Sequence, residues 1–187
     1  MGLIAKATEI VHRLLAEKVN AGDTVVDTTS GQGKDTCFLA RLVGESGRVW
    51  AFDIQEKACK ATQECLEKQG LAEQVNIIID NHADMEKYPI EDVAAIVFNL
   101  GWLPQENHSI VTNKHDTLVA VVSSLNILRD GGVIIIVSYP GHKAGFEEYI
   151  ALKEYLQQLP AAKALTMEIS FPNKSLAPII LVIEKQN

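Results

Sequence analysis

A chain of 187 residues with 47% hydrophobic side chains and a mean hydropathy of +0.07 has enough apolar material for one substantial core. It contains no apolar run of the ~18 residues a membrane span needs, and no charged-then-apolar leader with a small-residue cleavage site, which points to a cytoplasmic protein. The net charge of −7 and pI near 5.2 exclude a protein that coats long stretches of nucleic-acid backbone, although a local basic patch for one exposed nucleotide is compatible with them.

Apolar periodicity predicts an amphipathic helix from Ile4 to Val19, with Ile4, Ala7, Ile10, Val11, Leu14 and Leu15 on one face. A strand follows at Thr24 to Asp27, then a helix at Lys34 to Val43. A second strand covers Arg48 to Asp53. The helix Glu56 to Gln69 after it is stopped by Gly70. Val75 to Ile79 is the third strand and Ala94 to Leu100 the fourth. A helix from Thr117 to Leu128 is expected to end at the turn Asp130-Gly131-Gly132, before a wholly apolar strand Val133 to Ser138. A helix from Ala144 to Gln158 and two strands, Ala164 to Ser170 and Pro178 to Glu184, close the chain. This alternation gives an α/β fold, a doubly wound and mostly parallel seven-stranded sheet ending in an antiparallel strand pair. Residues 1–187 read as a single domain. Cys37, Cys59 and Cys65 form no CxxC pair and read as reduced, mostly buried thiols. The histidines and cysteines show no metal-binding spacing.

The densest signal is VVDTTSGQGKDT, Val25 to Thr36: a strand ending on an acid, a glycine-rich turn and an immediate helix. Asp53, at the end of the second strand, is spaced to accept hydrogen bonds from ribose hydroxyls. This layout serves dinucleotides and S-adenosylmethionine (SAM) alike, and Asp27 separates them. A carboxylate at the mouth of the turn repels a pyrophosphate. It attracts the ammonium and sulfonium of SAM, by roughly 4 kcal/mol at about 4 Å before desolvation. Thr36 also stands where the dinucleotide pattern has its third glycine. SAM is therefore the expected cofactor, and a strand pair closing the sheet is what Rossmann-like class I SAM-dependent methyltransferases add to this fold. Gly31, Gly33, Asp35 and Thr36 of the turn, and Ile54 beside Asp53, complete the expected cradle.

A second constellation, FNLGWLP from Phe98 to Pro104, leaves the fourth strand. Asn99 offers a side-chain carbonyl, the Leu100 backbone a second acceptor, and Trp102 a stacking face. Two acceptors on one –NH₂ turn its lone pair toward a methyl donor, so Asn99 is assigned to both substrate and cofactor. The loop resembles the Asn-Pro-Pro-Tyr segment of amino-methyltransferases acting on nucleic acid; a strand-end turn with a core tryptophan is the plainer reading. In YPGHKAG, Tyr139 and His142 are expected on the same rim, His142 either as a phosphate or base contact or as a helix-start residue. His82 reads as an adenine contact or an exposed loop histidine.

Taken together, DxTxGxGxDT, FDIQ, Asn81-His82, FNLGWLP, TNKHDTL and YPGH resemble one family across almost the whole chain. It is the small bacterial SAM-dependent methyltransferases long labelled rRNA methylases, whose characterised members methylate the aminomethyl group of a modified wobble uridine in tRNA. The resemblance implies that Ser30, Gln32, Asp53, Gln55, Asn81 and His82 line the SAM pocket. It also implies that the substrate is 5-aminomethyl-(2-thio)uridine in the tRNA anticodon loop. Two departures stand out: Gly31-Gln32-Gly33-Lys34-Asp35 replaces the usual Gly-Asn-Gly-His-Asp, and Trp102 replaces a more frequent tyrosine.

The expected chemistry is direct transfer to a neutral amine, with Asn99, Trp102, Tyr139 and His142 as the catalytic set and Tyr139, His142 or Asp116 as candidate bases. Lys114, His115, His142, Lys143 and Lys174 are expected on loops or element ends around the rim, as RNA contacts. Neither a metal nor a membrane is expected as a partner; a homodimer is left open. Methylation of rRNA or a small-molecule amine, a non-catalytic SAM-binding module and an NAD-dependent reductase are the competing readings.

Overall fold

The computed structural model describes residues 6–101, 114–174 and 176–187. Ile4, Trp102 and His108 fall outside them. Five helices and seven strands follow in chain order among the described residues: α1 Ala7–Lys18, β1 Thr24–Asp27, α2 Lys34–Val43, β2 Arg48–Asp53, α3 Glu56–Glu67, β3 Val75–Ile79, β4 Val93–Asn99, α4 Lys114–Ile127, β5 Leu128–Ser138, α5 Lys143–Gln158, β6 Ala164–Ile169 and β7 Ile179–Lys185. The sheet order is β3-β2-β1-β4-β5-β7-β6, with β7 antiparallel to both β5 and β6. The chain reverses its direction of strand addition between β1 and β4. In such sheets the crevice at the carboxyl ends of those strands is where ligands bind.

Period-two alternation sends successive side chains into two separate cores. Val26, Ile96, Phe98, Ile134 and Ile136 face α4 and α5 and meet Ala120, Val121, Leu125 and Leu152. Val25, Ala95, Val97, Ile135 and Val137 face the other way, toward Val11 and Leu15 of α1 and Leu39 and Ala40 of α2. β4 is buried from Val93 to Phe98, as a central strand covered on both sides must be.

Several boundaries differ from the sequence reading by a few residues, and three have structural consequences. α4 runs from Lys114 rather than from Thr117, so Lys114 and His115 lie in its first turn, at an element end. α3 stops at Glu67, and Leu71 N–H closes back on Leu66 at 3.0 Å, with Gly70 in the left-handed region. Asp130-Gly131-Gly132 is not a helix-ending turn, because β5 already begins at Leu128. Val93 pairs with Leu128 and Ala95 with Val133, so the extra residues are absorbed in a bulge within the strand. The Lys185 ammonium anchors that bulge by donating to the Leu128 carbonyl at 2.6 Å. The cysteines are unbridged, yet Cys37 of α2 and Cys65 of α3 lie with sulfurs 3.0 Å apart, a proximity their spacing of 28 residues concealed.

Candidate cofactor and methyl-acceptor site

The turn after β1 is fixed from three sides. Ser30 N–H donates to the Phe52 carbonyl at 2.9 Å, and Gly31 N–H to Asp53 Oδ2 at 3.0 Å. Thr29 Oγ1 accepts the Asn99 N–H at 2.8 Å, so the turn is bonded to the ends of both β2 and β4. Gly33 has φ 76°, and a Cβ there would lie 2.9 Å from Thr62 Cα of α3. Only glycine lets α2 start against α3 at this point.

Carboxylates crowd this end of the sheet. Asp27 is 1% exposed and accepts from Thr36 Oγ1 at 2.6 Å and Thr29 N–H at 3.1 Å. Burial, reinforced by the charge of Asp35, pushes its carboxyl up to about 7. Asp53 is also raised by burial, although the Gln55 and Gly31 N–H groups oppose the shift. Each of its oxygens accepts one backbone N–H and retains capacity for a ribose hydroxyl. Anionic groups held this way disfavour a pyrophosphate and favour a cation.

SAM fits the residues present. Ser30 Oγ and His82 Nε2 are buried polar atoms with no hydrogen-bond partner among the described residues, at the ends of β1 and β3. Such atoms are costly unless a ligand satisfies them. His82 is buried, not an exposed loop residue. Its ring bonds the Thr28 backbone and meets Phe98 edge-on at 5.8 Å, and burial lowers its basicity so that it stays neutral. Ile54, one residue past Asp53 at the end of β2, is 52% exposed and offers an apolar surface suited to an adenine face. Gln32 is exposed on the turn and Gln55 half-buried beside Asp53.

Asn81 serves two local bonds. Its carbonyl caps the turn that starts at His82, accepting from Ala83 N–H at 3.0 Å, and its amide donates to Asp116 at 2.8 Å. Asp116 is thereby engaged at the β3 end.

At the β4 end, Asn99 holds the centre of a four-residue chain. His12 Nε2 lies 2.8 Å from Asp35 Oδ1, Asn99 Nδ2 donates to Asp35 Oδ2 at 3.0 Å, and the Tyr139 hydroxyl donates to Asn99 Oδ1 at 3.0 Å. Burial alone would raise Asp35, but the hydrogen bonds from His12 and Asn99 outweigh it and hold the carboxyl below its usual range. Burial and the Asp35 charge raise the Tyr139 phenol, which makes it a donor here and not a base. His142 caps α5 by accepting the Gly145 N–H at 3.1 Å, the helix-start role. His12 is the participant that motif reading did not find, since it lies in no spacing that marks it; Thr29 lies inside the DxTxGxGxDT motif, but the motif gives it no role of its own.

Among the described residues no group of three or more His, Cys, Asp or Glu side chains is placed to hold a metal, and no helix is long and apolar enough to cross a membrane. A surface cavity of about 490 Å³ borders Gly131, Ala161 and Lys185, at the opposite end of the parallel strands from these groups.

Comparison with known proteins finds methyltransferases. Residues 49–185 match the family model described as "Putative rRNA methylase". A tRNA (mnm(5)s(2)U34)-methyltransferase, chloroplastic, from Arabidopsis thaliana is 34% identical over 97% of this chain and 70% of its own length. A Clostridium thermocellum crystal structure carrying the same rRNA-methylase description superposes with a TM-score of 0.96 at 40% identity, covering 98% of this chain and all of that one. A Streptococcus mutans protein named as a "putative methyltransferase", crystallised with SAH, gives 0.88 at 31% identity over 98% and 99% of the two chains.

Proposed function

The chain belongs to the "Putative rRNA methylase" family and is a SAM-dependent methyltransferase, and from that premise we propose that it methylates the aminomethyl nitrogen of 5-aminomethyl-(2-thio)uridine at the wobble position of tRNA. The observation that carries this reading is Asn99, an amide at the end of the central strand, held between Asp35 and Tyr139 and bonded through its backbone to the cofactor turn. The Arabidopsis relative, named for a wobble uridine, supports the choice of RNA position. The protein acts in the cytoplasm as one catalytic domain spanning residues 1–187.

SAM, when bound, supplies a methyl group on a sulfonium and leaves as S-adenosylhomocysteine. Asp27 would hold its ammonium, Asp53 its ribose diol, Ile54 and His82 its adenine, and Ser30 a polar atom of the methionine end. Asn99 Oδ1 keeps a lone pair beyond the one that Tyr139 occupies, and accepts an N–H of the substrate amine. The Leu100 carbonyl accepts the other, leaving the nitrogen lone pair directed at the methyl. A free alkyl amine has a pKa of about 10, as lysine does. The desolvated strand end, next to a sulfonium, favours its neutral form. Positioning supplies most of the acceleration.

The family description favours a second substrate, ribosomal RNA, and one experiment separates the two. The protein and SAM are incubated with an anticodon stem-loop carrying 5-aminomethyluridine, with the same stem-loop carrying plain uridine, and with ribosomal subunits, followed by nucleoside mass spectrometry. Methylation of the aminomethyl stem-loop alone is the expected result. Product only from ribosomal subunits would move the assignment to rRNA.

A further inference from the structure

His12 lies on α1, 23 residues before Asp35 and far in sequence from any motif of the methyltransferase. Its ring is stacked flat on Phe38 of α2, centroids 3.8 Å apart and planes 5° from parallel, which fixes the direction of Nε2 toward Asp35. Packing does not call for a polar side chain here. α1 is docked by Ala7, Val11 and Leu15, which are buried, with Ile10 and Leu14 partly so.

The orientation of the Asn99 amide depends on Asp35. With the carboxylate ionised, Nδ2 must face it and Oδ1 must face Tyr139. A flipped amide would set its carbonyl oxygen against a carboxylate oxygen, an acceptor against an acceptor. A Tyr139 hydroxyl can donate or accept, so it cannot impose the choice alone. A protonated or displaced Asp35 would impose nothing either. His12 acts on both points: its hydrogen bond holds Asp35 in place and helps keep the carboxyl ionised.

We propose that His12 is a positioning residue for methyl transfer, acting through Asp35 to keep the Asn99 carbonyl oxygen directed at the acceptor amine. This rests on the assignment of Asn99 to an amine substrate. His12 touches neither cofactor nor substrate in this scheme, so its loss should appear in turnover and not in SAM binding.

The test uses the full chain with SAM and the aminomethyl stem-loop. His12→Phe keeps a ring to stack on Phe38 but removes the donor; His12→Gln restores an amide donor near the Nε2 position. Expected is a fall in kcat of about 10- to 100-fold for His12→Phe, the scale of a small misplacement of reacting groups. KM for SAM should stay within about twofold, and His12→Gln should recover most of the lost rate. The Asn99 side-chain amide resonances of ¹⁵N-labelled protein should shift in His12→Phe and return toward wild type in His12→Gln. Should His12→Phe not fold, His12→Asn, too short to reach Asp35, takes its place. Wild-type-like turnover in the donorless variant overturns the proposal, as does equal loss in Phe and Gln variants or a parallel loss of SAM affinity. An inactive wild-type protein on the aminomethyl stem-loop would instead overturn the substrate assignment, whatever the variants do.

Discussion

Asp27 carries a carboxyl that burial and the neighbouring Asp35 push from 3.8 up to about 7. Between those values the folded chain holds a proton that the unfolded chain has released. Stability contributed at this site therefore falls as pH rises through that window, the reverse of an ion-paired acid. An ammonium placed beside Asp27 favours the ionised form and draws the pKa back down. SAM binding below about pH 7 should then release a proton and tighten as pH rises, by up to about tenfold for each unit by which the cation lowers the carboxyl. Calorimetry in two buffers of different ionisation enthalpy reads the proton directly. Asp27→Asn keeps acceptors and donors for Thr29 and Thr36 while removing the buried charge. It should raise the melting temperature of the ligand-free protein at pH 8 by a few degrees, about 2–4 °C per kcal/mol for a chain of this size. The same variant should bind SAM about 10- to 100-fold more weakly. Unchanged SAM affinity would show that the ammonium lies elsewhere.

The elements divide into those that local pattern dictates and those that tertiary contact decides. Gly33 belongs to the second group: its left-handed φ and its 2.9 Å approach to Thr62 tie the turn after β1 to α3. Gly33→Ala should cost about 2–4 kcal/mol, the left-handed penalty plus overpacking against backbone. Gly70 is the internal control. It too has positive φ (66°), but a Cβ there would meet nothing within 4 Å, so Gly70→Ala should cost only about 1–2 kcal/mol. Thermal melts of the two variants measure the difference, and equal losses would mean that α3 yields freely. The strands were legible because a short apolar run is a local property: β1, β2 and β3 run as their residues suggest. The start of β5 was not legible. Asp130-Gly131-Gly132 has the chemistry of a turn, and only the anchoring of Leu128 by Lys185, 57 residues away, extends the strand across it. At the site the same division holds. Asp27, Asp53 and Asn99 sit at strand ends that periodicity locates, whereas His12 reaches Asp35 through helix packing that no spacing encodes.

On the scale of the whole molecule, the proposed RNA substrate requires an acidic chain to meet a polyanion. With 17 basic against 24 acidic residues, repulsion dominates at long range, and RNA has to be engaged over a short stretch. The rim beside Asn99 offers such a stretch. Lys143 opens α5 with its side chain 91% exposed and only a 3.9 Å approach to Glu147, while Lys174 is exposed in the segment between β6 and β7. That segment folds against the β5–α5 loop: a Cβ on Gly141 would lie 3.9 Å from Leu176. Lys143 and Lys174 therefore lie on two segments that meet at Gly141 and Leu176, a few residues from Tyr139, and Lys114 and His115 lie in the first turn of α4. A few phosphate contacts there predict a shallow dependence of RNA affinity on salt, a log–log slope of about −2 to −4, in contrast to about −10 for an extensive binder. Lys143→Glu with Lys174→Glu should raise KM for the anticodon stem-loop about tenfold or more and flatten the salt slope by about 2, with SAM affinity unchanged. Filter binding across a salt series, run beside SAM calorimetry, measures both quantities. Charge reversals that left KM and slope untouched would place the RNA on another face of the sheet.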